Sequence, residues 1–174
     1  MAEDKAVKWF VAKTRAKQER SVQRQIAQLG VETFLPTREE IREWHDRKKK
    51  VDAVLIPNTV FVHSDKQTAI DLHNEHGIQV SYLRDMTINT SLLEIPDYQM
   101  RNFIDFVSAA GSQYTVESEE VMYMKGDKVI FKKGPMKGIV GELVRVDGKD
   151  KVLVIVENII ACSVGATLDM LEKV

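Results

Sequence analysis

The chain has 174 residues, 44% hydrophobic and 29% charged, with a formal net charge of −1 and a single cysteine, Cys162. That composition fits one ordinary globular domain or two small ones and excludes a fibrous or disordered chain. It also excludes an intrachain disulfide, a cysteine-rich zinc site, and nucleic-acid binding by the whole surface; any such contact is expected to be local or helped by a partner.

The opening residues, Met1 to Lys5, lack a basic stretch followed by an apolar one, so no secretory leader is expected. Apolar runs such as Val152–Val156 are too short to span a bilayer, and a cytoplasmic location without membrane contact is expected. Val7, Trp9 and Val11 alternate with Lys8, Phe10 and Ala12, which predicts a first strand over 7–13. Thr14 is placed to cap a helix whose apolar stripe is Val22, Ile26 and Leu29, with Gly30 at the C-terminal cap. Lys17, Arg20 and Arg24 recur at i, i+3 and i+7 on the opposite side, and Lys13 and Arg15 precede them. This basic stripe is either a solvated face or a nucleic-acid contact.

A second strand is expected over 31–36. The charged stretch 37–51 reads as a long hairpin or a mobile loop, with Arg47–Lys50 basic and Trp44 set to stack on a base, a partner or its own domain. Pro57-Asn58 marks a turn before a third strand, Val60 to Val62. A helix over 66–76 stops at Gly77, and Ile78, Val80 and Tyr82 alternate as a fourth strand. Pro96 opens a helix with the stripe Met100, Phe103, Ile104 and Val107, ending near Gly111. The order up to Gly111 is that of a ferredoxin-like split β-α-β fold with an antiparallel sheet.

Residues 112–120 are polar and read as a linker. From Val121 onward short strands replace helical periodicity, at 128–131, 139–146, 152–157, 159–164 and 168–171, with a hairpin signal at Asp147-Gly148. Five short strands in about fifty residues predict a small closed SH3-like barrel, closure removing the edges. The fold class is therefore α+β, with domains 6–111 and 121–174 joined by 112–120. Cys162 reads as a buried strand residue. His73 and His76 complete no zinc pattern, and His45 and His63 show no obvious partners; no metal, cofactor or catalytic residues are expected.

The stretch from Gly126 to Gly141 resembles the KOW motif, carried here by Gly126, Asp127, Gly134, Pro135, Met136, Lys137, Gly138 and Gly141. Residues 9–15, Glu19 and 34–36 resemble the opening of a NusG N-terminal domain, and 56–62 its Phe-Pro-x-Tyr-x-Phe-Val strand, so the resemblance covers about 7–174. Ile56 replaces the usual aromatic, Thr59 the usual tyrosine, and Met136 a common phenylalanine. Residues 42–50 resemble specialised paralogues acting on capsular or exopolysaccharide operons.

The resemblance implies a monomeric, non-catalytic elongation or antitermination factor that binds the clamp helices of the largest RNA polymerase subunit and suppresses pausing. Phe34, Ile56, Pro57, Thr59 and Val60 would form the polymerase surface, with Phe61 in the core. Lys13, Arg15, Lys17, Arg20 and Arg24 would touch the non-template DNA strand. The KOW domain would recruit a ribosomal protein or Rho. The alternative is an RNA-binding or ribosome-associated KOW protein with no polymerase role.

Overall fold

The computed structural model describes residues 5–87 and 91–174, so the opening tetrapeptide on which the leader reading partly rests lies outside them. Backbone packing divides the chain into two units. One holds the chain up to Thr37 together with Val54–Asp97, the other Arg38–Ala53 together with Tyr98–Val174.

The first unit is built on β1 (Lys8–Lys13), the central strand of an antiparallel sheet. β5 (Thr59–Ser64) pairs along one edge of β1, and β2 (Glu32–Phe34) continues the sheet beyond β5. The other edge of β1 takes β6 (Ser81–Tyr82) and β9 (Glu94–Ile95), while β7 (Arg84–Asp85) and β8 (Ser91–Leu92) form a separate ladder. Trp9 to Ala12 of β1 are all buried, so both faces of this strand are covered. On one face Ala12, Val60 and Val62 pack with Val22 and Ile26 of α1 (Glu19–Gln28) and Leu72 of α2 (Lys66–Asn74). On the other, the Trp9 ring stacks on His63 at 4.5 Å and its Nε1 donates to Asp97 Oδ1 at 3.1 Å. His63 Nδ1 lies 2.6 Å from Glu32 Oε2, so this histidine has partners that spacing alone did not reveal.

Helix boundaries shift from the expected ones. Thr14 does not cap α1: its hydroxyl donates to Arg15 O, and the helix starts at Glu19 after Lys17, which sits at φ 62°. The buried stripe is Glu19, Val22 and Ile26, one turn earlier than expected, leaving Leu29 43% exposed. Gly30 closes the helix at φ 77°. The fourth strand is shorter than the alternation suggested: Ile78 and Val80 are buried, but only Ser81–Tyr82 pairs.

Asp65 caps α2, with Oδ1 accepting from Thr68 N at 2.9 Å and Oδ2 from the Thr68 hydroxyl at 2.7 Å. These bonds hold its carboxyl below the usual range. Asp65→Ala should therefore cost about 1 kcal/mol at neutral pH in urea denaturation. Because the folded-state pKa is lowered, the contribution is full above the ordinary carboxylate value and fades as pH falls through the lowered one. The difference between the two proteins should thus shrink only in acid.

In the second unit, β3 (Thr37–Trp44) and β4 (Arg47–Val54) form a hairpin, which settles the loop-or-hairpin alternative. Lys48 pairs with Glu43 at 3.3 Å and Lys50 with Glu39 at 3.2 Å, so two of the four cations of the basic run are matched within the hairpin, and Trp44 is 61% exposed. Arg38 lies 5.0 Å over the Tyr114 ring and donates to the Tyr114 carbonyl at 2.9 Å. α3 (Asp97–Ala110) begins one residue after Pro96. It buries Met100, Phe103, Phe106 and Ala110, with Ile104 and Val107 only half-buried.

The segment read as a linker is structured. It supplies β10 (Thr115–Val116) against β14 (Ile160–Gly165), and α4 (Glu119–Met122) starts within it. Glu117 N donates to Ala161 O at 2.8 Å, and its carboxylate takes the Ser163 hydroxyl and Lys151 Nζ. β11 (Asp127–Phe131), β12 (Val140–Val146), β13 (Lys149–Val156) and β15 (Leu171–Lys173) complete an antiparallel sheet in the order β10-β14-β13-β12-β11-β15. Leu168–Met170 is a 3₁₀ turn, so the last strand starts three residues later than expected. The expected closed five-stranded barrel is not found: the sheet has six strands, and no pairing among the described residues joins β15 to β10. Closure is less needed because both edge strands are only two or three residues long and expose few unpaired groups. Asp147 and Gly148, both at positive φ, make the expected hairpin turn.

Candidate functional site

The strongest constellation in the first unit lies at the end of β1, where Lys13 stands opposite Thr59 of β5 on one side and Ser81 of β6 on the other. Lys13 Nζ donates to the Thr59 hydroxyl at 2.8 Å, and that hydroxyl donates to Pro57 O at 3.1 Å. Asn58 follows at φ 59°, a conformation that asparagine tolerates better than most residues. Its N–H donates to the carboxylate of Glu19 at 2.9 Å, and its carbonyl accepts from Thr14 N at 2.9 Å. Glu19 is only 7% exposed, so this charge-assisted bond is sheltered. The Ile56-Pro57 turn and the basic approach to α1 are therefore held as one piece.

The residues expected at a polymerase surface separate into two groups. Pro57 is exposed, and Ile56 and Phe34 are half-buried. Thr59 is 1% exposed and Val60 belongs to the core, so neither presents surface; they support the turn from beneath. Strand alternation explains this, because both faces of the sheet are covered. Phe61 is buried, with its ring 6.3 Å from that of Phe34.

Of the basic set, Arg15, Lys17, Arg20 and Arg24 are exposed and Lys13 is half-buried. Only Arg20 and Arg24 stand on α1. Lys17 belongs to the preceding turn, so helical phase does not place it. Glu19 and Asn58 were not singled out for a site role; the only sequence signals were an acid at a helix start and an Asn after Pro.

In the second unit the KOW-like residues surround the β11–β12 connection. Gly134 and Gly138 adopt φ 85° and 91°, and Lys133 pairs with Asp169 at 2.6 Å. Gly126 and Gly141 serve differently: a Cβ on Gly126 would lie 1.9 Å from Leu143 O, and one on Gly141 2.5 Å from Val152 Cγ1. Met136 is half-buried and Pro135 and Lys137 are exposed at the turn, while Asp127 pairs with Lys173 at 3.0 Å. Cys162 is fully buried in β14, and that burial pushes its thiol up to about 12, far from a nucleophile's range. Among the described residues no three His, Cys, Asp or Glu converge as metal ligands, and no helix is long and apolar enough to cross a membrane.

The family description "Transcription termination factor nusG" matches residues 7–125, more than half of the chain. The chain belongs to the NusG family. The solved structure "Domain interaction in Thermotoga maritima NusG" is similar at 18% identity and TM-score 0.48, covering 97% of this chain and 98% of that one. The MjSpt4:Spt5 complex is similar at 16% identity and TM-score 0.28, covering 95% of this chain and 97% of that chain in conformation A, and 95% and 96% in conformation B. No curated protein matches. The NusG family match spans both the Ile56-Pro57 turn and the basic segment beside it.

Proposed function

We propose that this NusG-family chain is a non-catalytic transcription elongation and antitermination factor. The observation that carries this reading is the family match over residues 7–125. In the proposed mode, Ile56, Pro57 and Phe34 meet the clamp helices of the largest polymerase subunit. Arg15, Lys17, Arg20 and Arg24 track the exposed non-template DNA strand, and the KOW-like turn around Met136 recruits a ribosomal protein or Rho. The action is operon-specific, of the kind that serves capsular polysaccharide operons, and takes place in the cytoplasm with the factor as a monomer. A turn locked from behind by Glu19 supports the first contact, since a pre-ordered surface loses less entropy on docking.

Single-round transcription on a template with known pauses, using polymerase from the same source, tests the proposal. The factor should shorten pauses, and Ile56→Ala with Pro57→Ser should remove most of the effect at unchanged stability. Failure to bind core polymerase would sink the reading. Tight binding of structured RNA by a chain that ignores polymerase would replace it with the ribosome-associated alternative.

A further inference from the structure

The β3–β4 hairpin takes no part in the contacts proposed above. Its two strands pair with each other and with no other strand among the described residues, and every residue from Ile41 to Lys50 is exposed. An isolated two-stranded ladder is marginal in water, so its anchorage decides its state. The anchor is Arg38, half-buried at the root. One guanidinium nitrogen donates to the Tyr114 carbonyl at 2.9 Å, the other lies 3.3 Å from Glu40 Oε1, and the guanidinium carbon stands 5.0 Å over the Tyr114 ring. Tyr114 leads directly into β10, and its ring meets Phe106 edge-on at 5.2 Å. Three residues further on, Glu117 is tied to β14 through Ala161 O and the Ser163 hydroxyl. The hairpin is thus fastened to a fixed edge of the C-terminal sheet.

That fastening carries an internal cost. The Tyr114 hydroxyl is buried and has no hydrogen-bond partner among the described residues. Burial pushes its phenol up to about 12, the nearby Cys162 thiol adds to the rise, and Arg38 opposes it. A hydroxyl buried without a partner is unfavourable in the docked arrangement and is relieved once water reaches it. Docking therefore sets a charge-assisted hydrogen bond and a cation over a ring against an orphaned hydroxyl, and these opposing effects are of similar size.

We propose that Arg38 is a latch that holds the β3–β4 hairpin docked on Tyr114, and that this docked state is poised to open. Arg38 is a positioning residue: it sets where the hairpin lies, and with it Trp44, Arg47 and Lys49 at the exposed tip. Release hydrates the Tyr114 hydroxyl and frees the guanidinium, while Glu117 keeps β10 on the sheet. Any partner that contacts Arg38 or the Tyr114 ring itself binds the open state alone and shifts the balance toward it.

Cys162, the chain's single cysteine, is fully buried and close enough to Arg38 for the guanidinium to oppose the rise in its thiol pKa. Its reaction with dithionitrobenzoate in the full chain therefore reports the opening. Arg38→Gln should speed the reaction about tenfold, the worth of one charge-assisted hydrogen bond. Arg38→Lys keeps the charge but not the planar fork and should recover part of the protection. Removing a cation near the thiol would by itself slow the reaction, so a faster one reports access. Tyr114→Phe keeps the ring under Arg38, removes the orphaned hydroxyl, and should slow the reaction about fivefold. Amide exchange separates local opening from unfolding: the Glu117 N–H and the β12–β13 ladder should keep their protection in Arg38→Gln. An unchanged thiol rate in Arg38→Gln would overturn the latch. Lost protection at Glu117 would overturn it in favour of fraying of β10, and lost protection throughout β12 and β13 in favour of global destabilisation. A faster rate in Tyr114→Phe would show that the hydroxyl helps to hold the contact, and would overturn the poised state.

Discussion

Gly126→Ala should unfold the C-terminal sheet. The added Cβ would stand 1.9 Å from the carbonyl oxygen of Leu143 and 2.8 Å from its carbon, both backbone atoms of β12 that cannot rotate away. Relief requires β11 and β12 to separate, and Asp127↔Leu143 is the first pair of that ladder. The expected cost is about 3 kcal/mol or more, at the upper end for overpacking because the obstacle is main chain. Gly141→Ala should behave alike, meeting Val152 Cγ1 at 2.5 Å and Leu153 O at 2.8 Å. Gly165→Ala is the control: nothing lies within 4 Å of its Cβ and its φ is ordinary, so stability should hold within about 0.5 kcal/mol. Urea denaturation followed by amide exchange in β12 and β13 separates the three. A stable Gly126→Ala protein with protected β12 amides would refute the packing argument.

Glu19→Ala should uncouple the Ile56-Pro57 turn from α1. It leaves the Asn58 N–H without its carboxylate in a mostly buried setting, at a residue already held at φ 59°. An orphaned donor of this kind costs about 1–3 kcal/mol. The sharper effect falls on function: polymerase-dependent pause suppression should drop with Glu19→Ala, although Glu19 itself offers little surface. Glu19→Gln keeps a carbonyl acceptor at the same reach and should recover most of the stability and most of the activity. If Glu19→Ala lowers stability but leaves pausing untouched, the turn is not part of the polymerase contact.

These two results turn on contacts of different legibility. The glycines of the 126–141 stretch are visible in the sequence, and the positive φ of Gly134 and Gly138 agrees with their reading as turn positions. That Gly126 and Gly141 serve close packing rather than a turn depends on β12 and β13 lying against them. The Glu19–Asn58 bond joins residues 39 positions apart, which periodicity cannot connect.

What the sequence by itself determined is local and periodic. Two-residue alternation placed β1, the Pro57-Asn58 turn bounded β5, helical spacing located α1 and α3, and Gly30, Gly77 and Gly111 marked helix ends, all at positive φ. Asp147-Gly148 marked the hairpin turn, since a two-residue loop needs left-handed backbone. Only the tertiary structure decided the rest. It buried Thr59 and Val60 because both faces of the sheet are covered. It drew residues 115–117 into a sheet edge because Glu117 found Ser163 and Lys151 there. It brought Lys66 and Arg84 to one depression and Lys13 and Arg15 to the next, the two sharing Ser81, because β6 lies beside β1. Burial and charge alignment are properties of neighbours distant in the chain, so a sequence states which residues are able to meet, and packing selects those that do.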